Sequence, residues 1–229
     1  MNKNNSKMSM LFVVLSILFT VCLIASNLFA TKQFQFFNYS LPAAVIVFPV
    51  SYIINDCVSE VWGFRRASQL IWIGFLLNFF FVAMGSLADV LPPAGYWDGQ
   101  ESFHMIFGLA PRMAFASFVA FLVGSFTNAF VMSKMKVKNK GKHFSLRAIL
   151  STIFGEGLDS LIFYPLALGG IVPWEAMPMM MLLQVSFKTI YEILVLPLTI
   201  AVVTKVKEVE GEDVYDTAIS YNIFKGSQA

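Results

Sequence analysis

Asp56, Glu156, Asp159, Lys188 and Glu192 each interrupt a long apolar run, and through these side chains the chain could do chemistry. An ionisable group in the middle of a bilayer costs roughly 2.5–3.5 kcal/mol on insertion scales. The five together would cost on the order of 10–18 kcal/mol on that scale, comparable to the whole stability of many folds. They must therefore face one another or a wet cavity, not lipid. Their spacing supports convergence. Glu156 and Asp159 are three apart, on one face of a helix, while Gln184, Lys188 and Glu192 step by four along a single polar stripe. Within that stripe Lys188 and Glu192 can pair. Asn55, Asn78 and Asn128 add amides on three other runs. Four carboxylates against one lysine leave an excess of negative charge, which retained protons, a cation or a proton-donating ligand must balance. Carboxylates accept hydrogen bonds, amides both donate and accept, and Tyr52, Trp72 and Tyr191 offer stacking faces. Such a set suits a planar, purine-like heterocycle with N–H and amine donors and suits a carboxylate ligand poorly. A metal or proton path could use the same acids.

The elements that must hold these groups are membrane spans. Hydrophobic residues make up 57% of the 229 and charged residues 13%, with mean hydropathy +0.70, against about 25% charged in a soluble domain. Six stretches have the roughly 20 apolar residues that a span needs: 9–31, 40–60, 67–88, 113–133, 146–169 and 176–204. The first is too long for a signal-peptide core and no small-residue cleavage site follows, so it is expected to be retained. Lys134, Lys136, Lys138, Lys140, Lys142 and Arg147 crowd one loop, Arg65 and Arg66 mark another, and Lys3, Lys7, Lys205 and Lys207 flank the ends. The stretch 89–111 carries no Lys or Arg, nor does 170–175. By the positive-inside rule both termini are cytoplasmic. The expected organisation is an all-α, polytopic membrane protein: a cytoplasmic N-terminus (1–8), a six-helix transmembrane domain (9–204) and a cytoplasmic acidic tail (205–229). Asp56 and Glu156 then lie ~14 Å in from the basic end at the helical rise, near the depth at which carriers bind substrate.

Several smaller readings follow. Pro49, Pro165 and Pro197 lie within two turns of the acids and permit kinks; Gly155 and Gly157 leave room beside Glu156. Glu60, nearer the interface, is expected to be satisfied by Arg65 and Arg66. The tail 208–216 lies on the side of the lysine-rich loop, where docking is the alternative, and is expected to be solvated. Phe103, Ile106 and Phe107 share a helical face, predicting a short interfacial helix in the outer loop, with His104 as a surface histidine. Ser26-Asn27-Leu28-Phe29 and Thr127-Asn128-Ala129-Phe130 hint at an inverted three-plus-three repeat. Cys22 and Cys57 have no metal or disulfide spacing. No metalloprotease, nucleophile-elbow or phosphate-loop motif is present, so neither an enzyme nor ATP hydrolysis by this chain is expected.

At these residues the chain resembles the bacterial queuosine precursor transporter family, a vitamin-uptake-like integral membrane family. The matching segments are FPVSYIINDCVSEVWGFRRA (48–67), RMAFAS (112–117), STIFGEGLDSLIFYPLA (151–167), KTIYEILVLPLT (188–199) and EVEGEDVYD (208–216). The resemblance implies import of 7-cyano- or 7-aminomethyl-7-deazaguanine across the bacterial inner membrane for tRNA queuosine salvage, by alternating access. It carries binding roles to Asp56, Glu156, Asp159, Lys188 and Glu192, which Gln184, Asn78, Asn128 and Asn55 would complete. Ser125 and Asn128 depart from the Gln and Asp that many members carry there, which bears on which precursor is preferred. No cofactor, metal or nucleic-acid partner is expected beyond the base and the bilayer, and assembly as a homo-oligomer is left open. The alternative is a substrate-binding subunit of an energy-coupling-factor transporter, which would need a separate ATPase partner. The first span lacks the small-residue AxxxA pattern by which such subunits dock, and Ala116 and Ala120, which have it, suit ordinary helix packing. A self-sufficient carrier is the favoured reading.

Overall fold

The computed structural model describes residues 9–30, 32–36, 39–107, 111–170, 173–175, 177–217 and 221. Its order is α1 (Met10–Ala30), β1 (Gln33–Phe36), β2 (Tyr39–Pro42), a 3-10 turn (Ala43–Ile46), α2 (Phe48–Val90), α3 (Gln100–Phe107), α4 (Pro111–Lys138), α5 (Phe144–Leu168) and α6 (Met177–Glu210). The protein is an all-α, multi-pass membrane protein. Helices α1, α2, α4 and α6 each contain a window long and apolar enough to cross a bilayer, and α5, interrupted by Arg147, Glu156 and Asp159, packs between α4 and α6.

At 43 residues, α2 would reach ~65 Å if straight, about twice the hydrocarbon thickness. It breaks instead at Gly63, whose φ of 81° and ψ of 175° are not helical. Contacts along α4 show that the two arms run in opposite directions. On the first arm (48–62), Asn55 bonds Asn128 and the Glu60 carbonyl accepts from Lys136, so numbers rise together. On the second arm (64–90), Trp72 stacks on Phe126 while Phe75 and Phe79 meet Phe118, so numbers fall as the arm rises. The two arms are the second and third spans, folded tightly at the Gly63–Arg66 corner, which gives six among the described residues.

The first arm is the axis of the bundle. Ile54, Val58 and Val61 share one face and pack in the core with Phe12 and Phe19 of α1. Tyr52, Asp56, Ser59 and Glu60 occupy the other face, at helical spacing, and are just as buried. A central helix can be amphipathic within a membrane because its polar face meets protein, not lipid. On that side α4 and α5 approach through Gly124 and Gly155: a Cβ on Gly124 would stand 2.9 Å from the Gly155 carbonyl, and one on Gly155 2.8 Å from the Gly124 carbonyl. Small residues let membrane helices pack this closely.

Three expectations are corrected. Residues 40–47 do not begin the second span. They form the second strand of a hairpin, with Gln33 opposite Pro42, and a 3-10 turn. The helix starts only where Pro49, lacking an N–H, fits its first turn. Glu60 is satisfied not by Arg65 and Arg66 but by Arg147, through both guanidinium nitrogens, and by Lys207 at 2.7 Å. Arg66 lies over the Phe12 ring and bonds Gln69. The tail is not simply solvated. Val214 N–H donates to the Val61 carbonyl, Phe64 N–H donates to Asp216, and Asp213 pairs with Lys136 and Lys207 at 2.5 and 2.9 Å. The physical cause is the corner itself: a broken helix exposes backbone groups that need partners, and the tail supplies them. Helix α6 also continues past residue 204 to Glu210, where Ser9 meets it at 2.5 Å, so the start of α1 and the end of α6 lie together at the basic end of the bundle. The short outer helix forms as expected, as α3, with Phe107 against Phe81 and Gly85 and His104 bonded to Asp89 at 2.6 Å.

Gly63 sits in a backbone region essentially restricted to glycine, costing other residues about 1–3 kcal/mol, and a Cβ there would stand 2.7 Å from Asp216 Oδ1. Gly63→Ala should therefore lower the thermal midpoint of the detergent-solubilised protein by several degrees; an unchanged midpoint would contradict the corner as described. Burial works to raise the Asp213 carboxyl, but hydrogen bonds from Lys136 and Lys207 outweigh it and hold the group below its ordinary value. A depressed carboxyl stabilises docking fully above the unfolded pKa of about 3.9 and loses that contribution as pH falls through the lower folded value. Hydrogen exchange in 211–217 should be equally protected at pH 6 and 8 once corrected for intrinsic rates, and deprotected below about pH 4.

Candidate functional site

The polar face of the first arm meets α5 and α6 in the middle of the bundle. Lys188 of α6 reaches across to α5, where its Nζ donates to Glu156 Oε2 at 2.5 Å; the Glu156 side chain is 1% exposed and that of Lys188 12%. The sequence pattern allowed Lys188 to pair along its own helix with Glu192. Glu192 turns instead toward Asp56 of the first arm and Thr152 of α5. Asp159, one turn beyond Glu156, lies in the field of both members of the pair, and the Tyr52 side chain lies close to Glu156. Thus α2, α5 and α6 contribute all five ionisable groups to one region, joined by charge.

A cleft opens beside the pair. Pro49, Tyr52, Thr152, Glu156, Lys188, Tyr191 and Glu192 line it, and it is little wider than a water molecule. The space is narrow, so a planar ring enters only as side chains or helices give way. Its chemistry is mixed: two carboxylates, an ammonium and two phenol rings converge within one helical turn or so of each other. Carboxylates at this density bind N–H donors, the lysine can serve a carbonyl oxygen, and the tyrosines can cover the faces of a flat ring.

The remaining candidates fall into two groups. Gln184 accepts a hydrogen bond from Tyr164 at 2.6 Å on the outer side of the cleft. Asn55 and Asn128 bond each other at 2.8 Å, with Asn128 close to Asp56, immediately behind the cleft wall. Asn78 is elsewhere, bonded to Asn27 of α1 at 2.8 Å. Trp72 is also elsewhere, packed against Phe75 and Phe126, so its ring is not among the stacking faces of the cleft. Thr152 and Tyr164 were not singled out by sequence. Thr152 was findable, since it precedes Glu156 by four residues and shares its face; nothing local marked Tyr164. Gly155 takes the close approach of Gly124, while the space a side chain on Gly157 would enter is open. Among the described residues no group of three His, Cys, Asp or Glu side chains is placed to hold a metal ion.

With this geometry in hand, comparison with known proteins is informative. A family model described as "Putative vitamin uptake transporter" matches residues 42–202, well over half of the chain and including every residue of the cleft. The chain belongs to that family. The chain is also similar to a Bacillus subtilis (strain 168) protein named "Probable queuosine precursor transporter", 29% identical over 157 residues. The alignment takes in 67% of this chain and 66% of that relative, slightly less than two thirds of its length. No solved structure matches the chain.

Removing one member of a buried ion pair leaves the other uncompensated and costs about 3–5 kcal/mol, whereas replacing both can be nearly neutral. Lys188→Met should lower the thermal midpoint more than Lys188→Met with Glu156→Gln. Equal losses in the single and double variants would show that the pair is not coupled.

Proposed function

We propose that this transporter imports 7-deazaguanine precursors of queuosine, the 7-cyano or 7-aminomethyl base, through the bacterial cytoplasmic membrane by alternating access. The observation that carries this reading is the buried Glu156–Lys188 pair at 2.5 Å within a tyrosine-flanked cleft. A deazaguanine ring presents N–H and amino donors along one edge and a carbonyl oxygen beside them. In the bound arrangement, Glu156 and Asp159 accept from the donor edge and Lys188 turns from Glu156 to the ring carbonyl. Tyr52 and Tyr191 cover the ring faces, and Glu192 and Gln184 bound the site on either side. Asp56, Asn55 and Asn128 stand behind this wall and hold its charge and orientation. Asn78, paired with Asn27, has no direct part. The name of the Bacillus subtilis relative points to the same substrate class. The excess of Lys and Arg at the Gly63 corner, in the α4–α5 loop and at both chain ends supports cytoplasmic termini.

The test is uptake of each labelled base into vesicles containing this protein alone. Saturable uptake is expected, abolished by Glu156→Ala or Asp159→Ala in protein that still inserts and stays folded. Normal uptake by either variant would remove that residue from the site. Uptake only after an ATPase partner is added would favour the binding-subunit reading, with which the family description is compatible.

A further inference from the structure

The chain beyond α6 is built into the basic end of the bundle. It turns at Gly211, with φ of 65°, and 213–216 cross the Gly63 corner. Lys136 Nζ donates to the carbonyls of Val214, at 2.7 Å, and of Glu60, and to Asp213 at 2.5 Å. Asp216 accepts from Phe64 N–H at 2.8 Å and from the Ser133 hydroxyl. The Tyr215 ring covers Lys136 at 4.6 Å, and its hydroxyl reaches the open face of Gly141. One short segment thereby ties together both arms of α2, α4, the α4–α5 loop and α6.

Charge gives this contact its strength and its direction. Glu60 lies among Lys136, Arg147 and Lys207, so without the tail one carboxylate faces three cations. Asp213 adds a second carboxylate against Lys136 and Lys207, and Asp216 pins the segment to the Phe64 amide and Ser133. Lys136 and Arg147 are almost wholly buried, at 1% and 0% exposed, and buried charges of one sign require either counter-charges or water. If the tail leaves, water must enter to solvate them. The point of entry is well placed. Glu60 is four residues, one helical turn, beyond Asp56, and Asp56 lies against Glu192 of the cleft wall. The ion cluster therefore stands between the cleft and the basic end.

We propose that residues 211–217 are the latch of the cytoplasmic gate. Docked on the Gly63 corner they lower the cluster's excess charge and keep that end dry; their release hydrates the cluster and opens the cleft toward the cytoplasm. The transport consequence rests on the carrier reading above, whereas the gating itself does not. Two measurements decide it. Lys138→Cys/Thr217→Cys protein in a Cys22→Ala/Cys57→Ala background, its two new thiols facing one hollow and joined by a short bifunctional thiosulfonate, holds the tail in place. Its uptake of the deazaguanine bases into vesicles should fall at least tenfold and return on reduction; unchanged uptake in the linked form overturns the latch. Independently, Ser59→Cys, one residue from Glu60, reports water entry in a Cys22→Ala/Cys57→Ala background. Its labelling by a membrane-impermeant thiol reagent from the basic side should quicken at least tenfold when Asp213→Ala and Asp216→Ala are added, and equal labelling rates overturn the proposal. If the parent protein imports no deazaguanine base, the substrate reading falls while the labelling measurement still decides the gate.

Discussion

Every ionised group that this chain buries must find a counter-charge, because neither lipid nor a dry interior solvates it. Around that requirement the bundle is arranged as two clusters on the polar face of one central helix. Near the middle, Glu156 and Lys188 join α5 to α6, and Asp159, Glu192 and Asp56 gather about them. At the basic end, Glu60 collects Arg147, Lys207 and Lys136 from α5, α6 and α4. The two differ in composition, and the difference fits different work. The middle cluster has more acids than bases and borders a cleft, so it has acceptors to offer a ligand. The end cluster has more bases than acids, and the tail's Asp213 reduces that excess by pairing with Lys136 and Lys207.

The Gly63 corner links the two. A reversal this tight is available only to glycine at that φ and ψ, and it leaves backbone groups at the ends of both arms without helical partners. Lys136 takes the Glu60 carbonyl, Val214 the Val61 carbonyl, and Asp216 the Phe64 amide. Corner, ion cluster and tail are therefore one structure: the break creates the sites to which the tail binds, and the tail's charges make the buried cations tolerable. The first arm can then be short and polar on one side, because the other spans sheath it.

Close packing of α4 on α5 through Gly124 and Gly155 sets the depth of the cleft. Glu156 follows Gly155 directly, so backbone contact on one side of α5 fixes where the carboxylate emerges on the other. Apolar packing of Phe12, Phe19, Phe121 and Phe126 against Ile54, Val58 and Val61 holds the opposite face of the central arm, and its rotation presents Tyr52 to the cleft.

The sequence alone determined the number of spans though not the start of the second, the convergence of the acids and the family, since long apolar runs and rare intramembrane charges have few physical solutions. It placed Glu156, Asp159, Lys188 and Glu192 together because residues three or four apart on a helix share a face. It could not decide which faces of different helices meet. That is why Lys188 pairs with Glu156 across an interface, why Asn78 meets Asn27 away from the cleft, and why Trp72 lies in the aromatic core. Nor could it show that 208–216 dock, because composition describes an acidic tail as soluble, whereas only the folded corner creates unpartnered backbone groups and unmatched buried cations for it to satisfy. Periodicity is local and survives in sequence; the matching of surfaces and charges between elements exists only once they are packed.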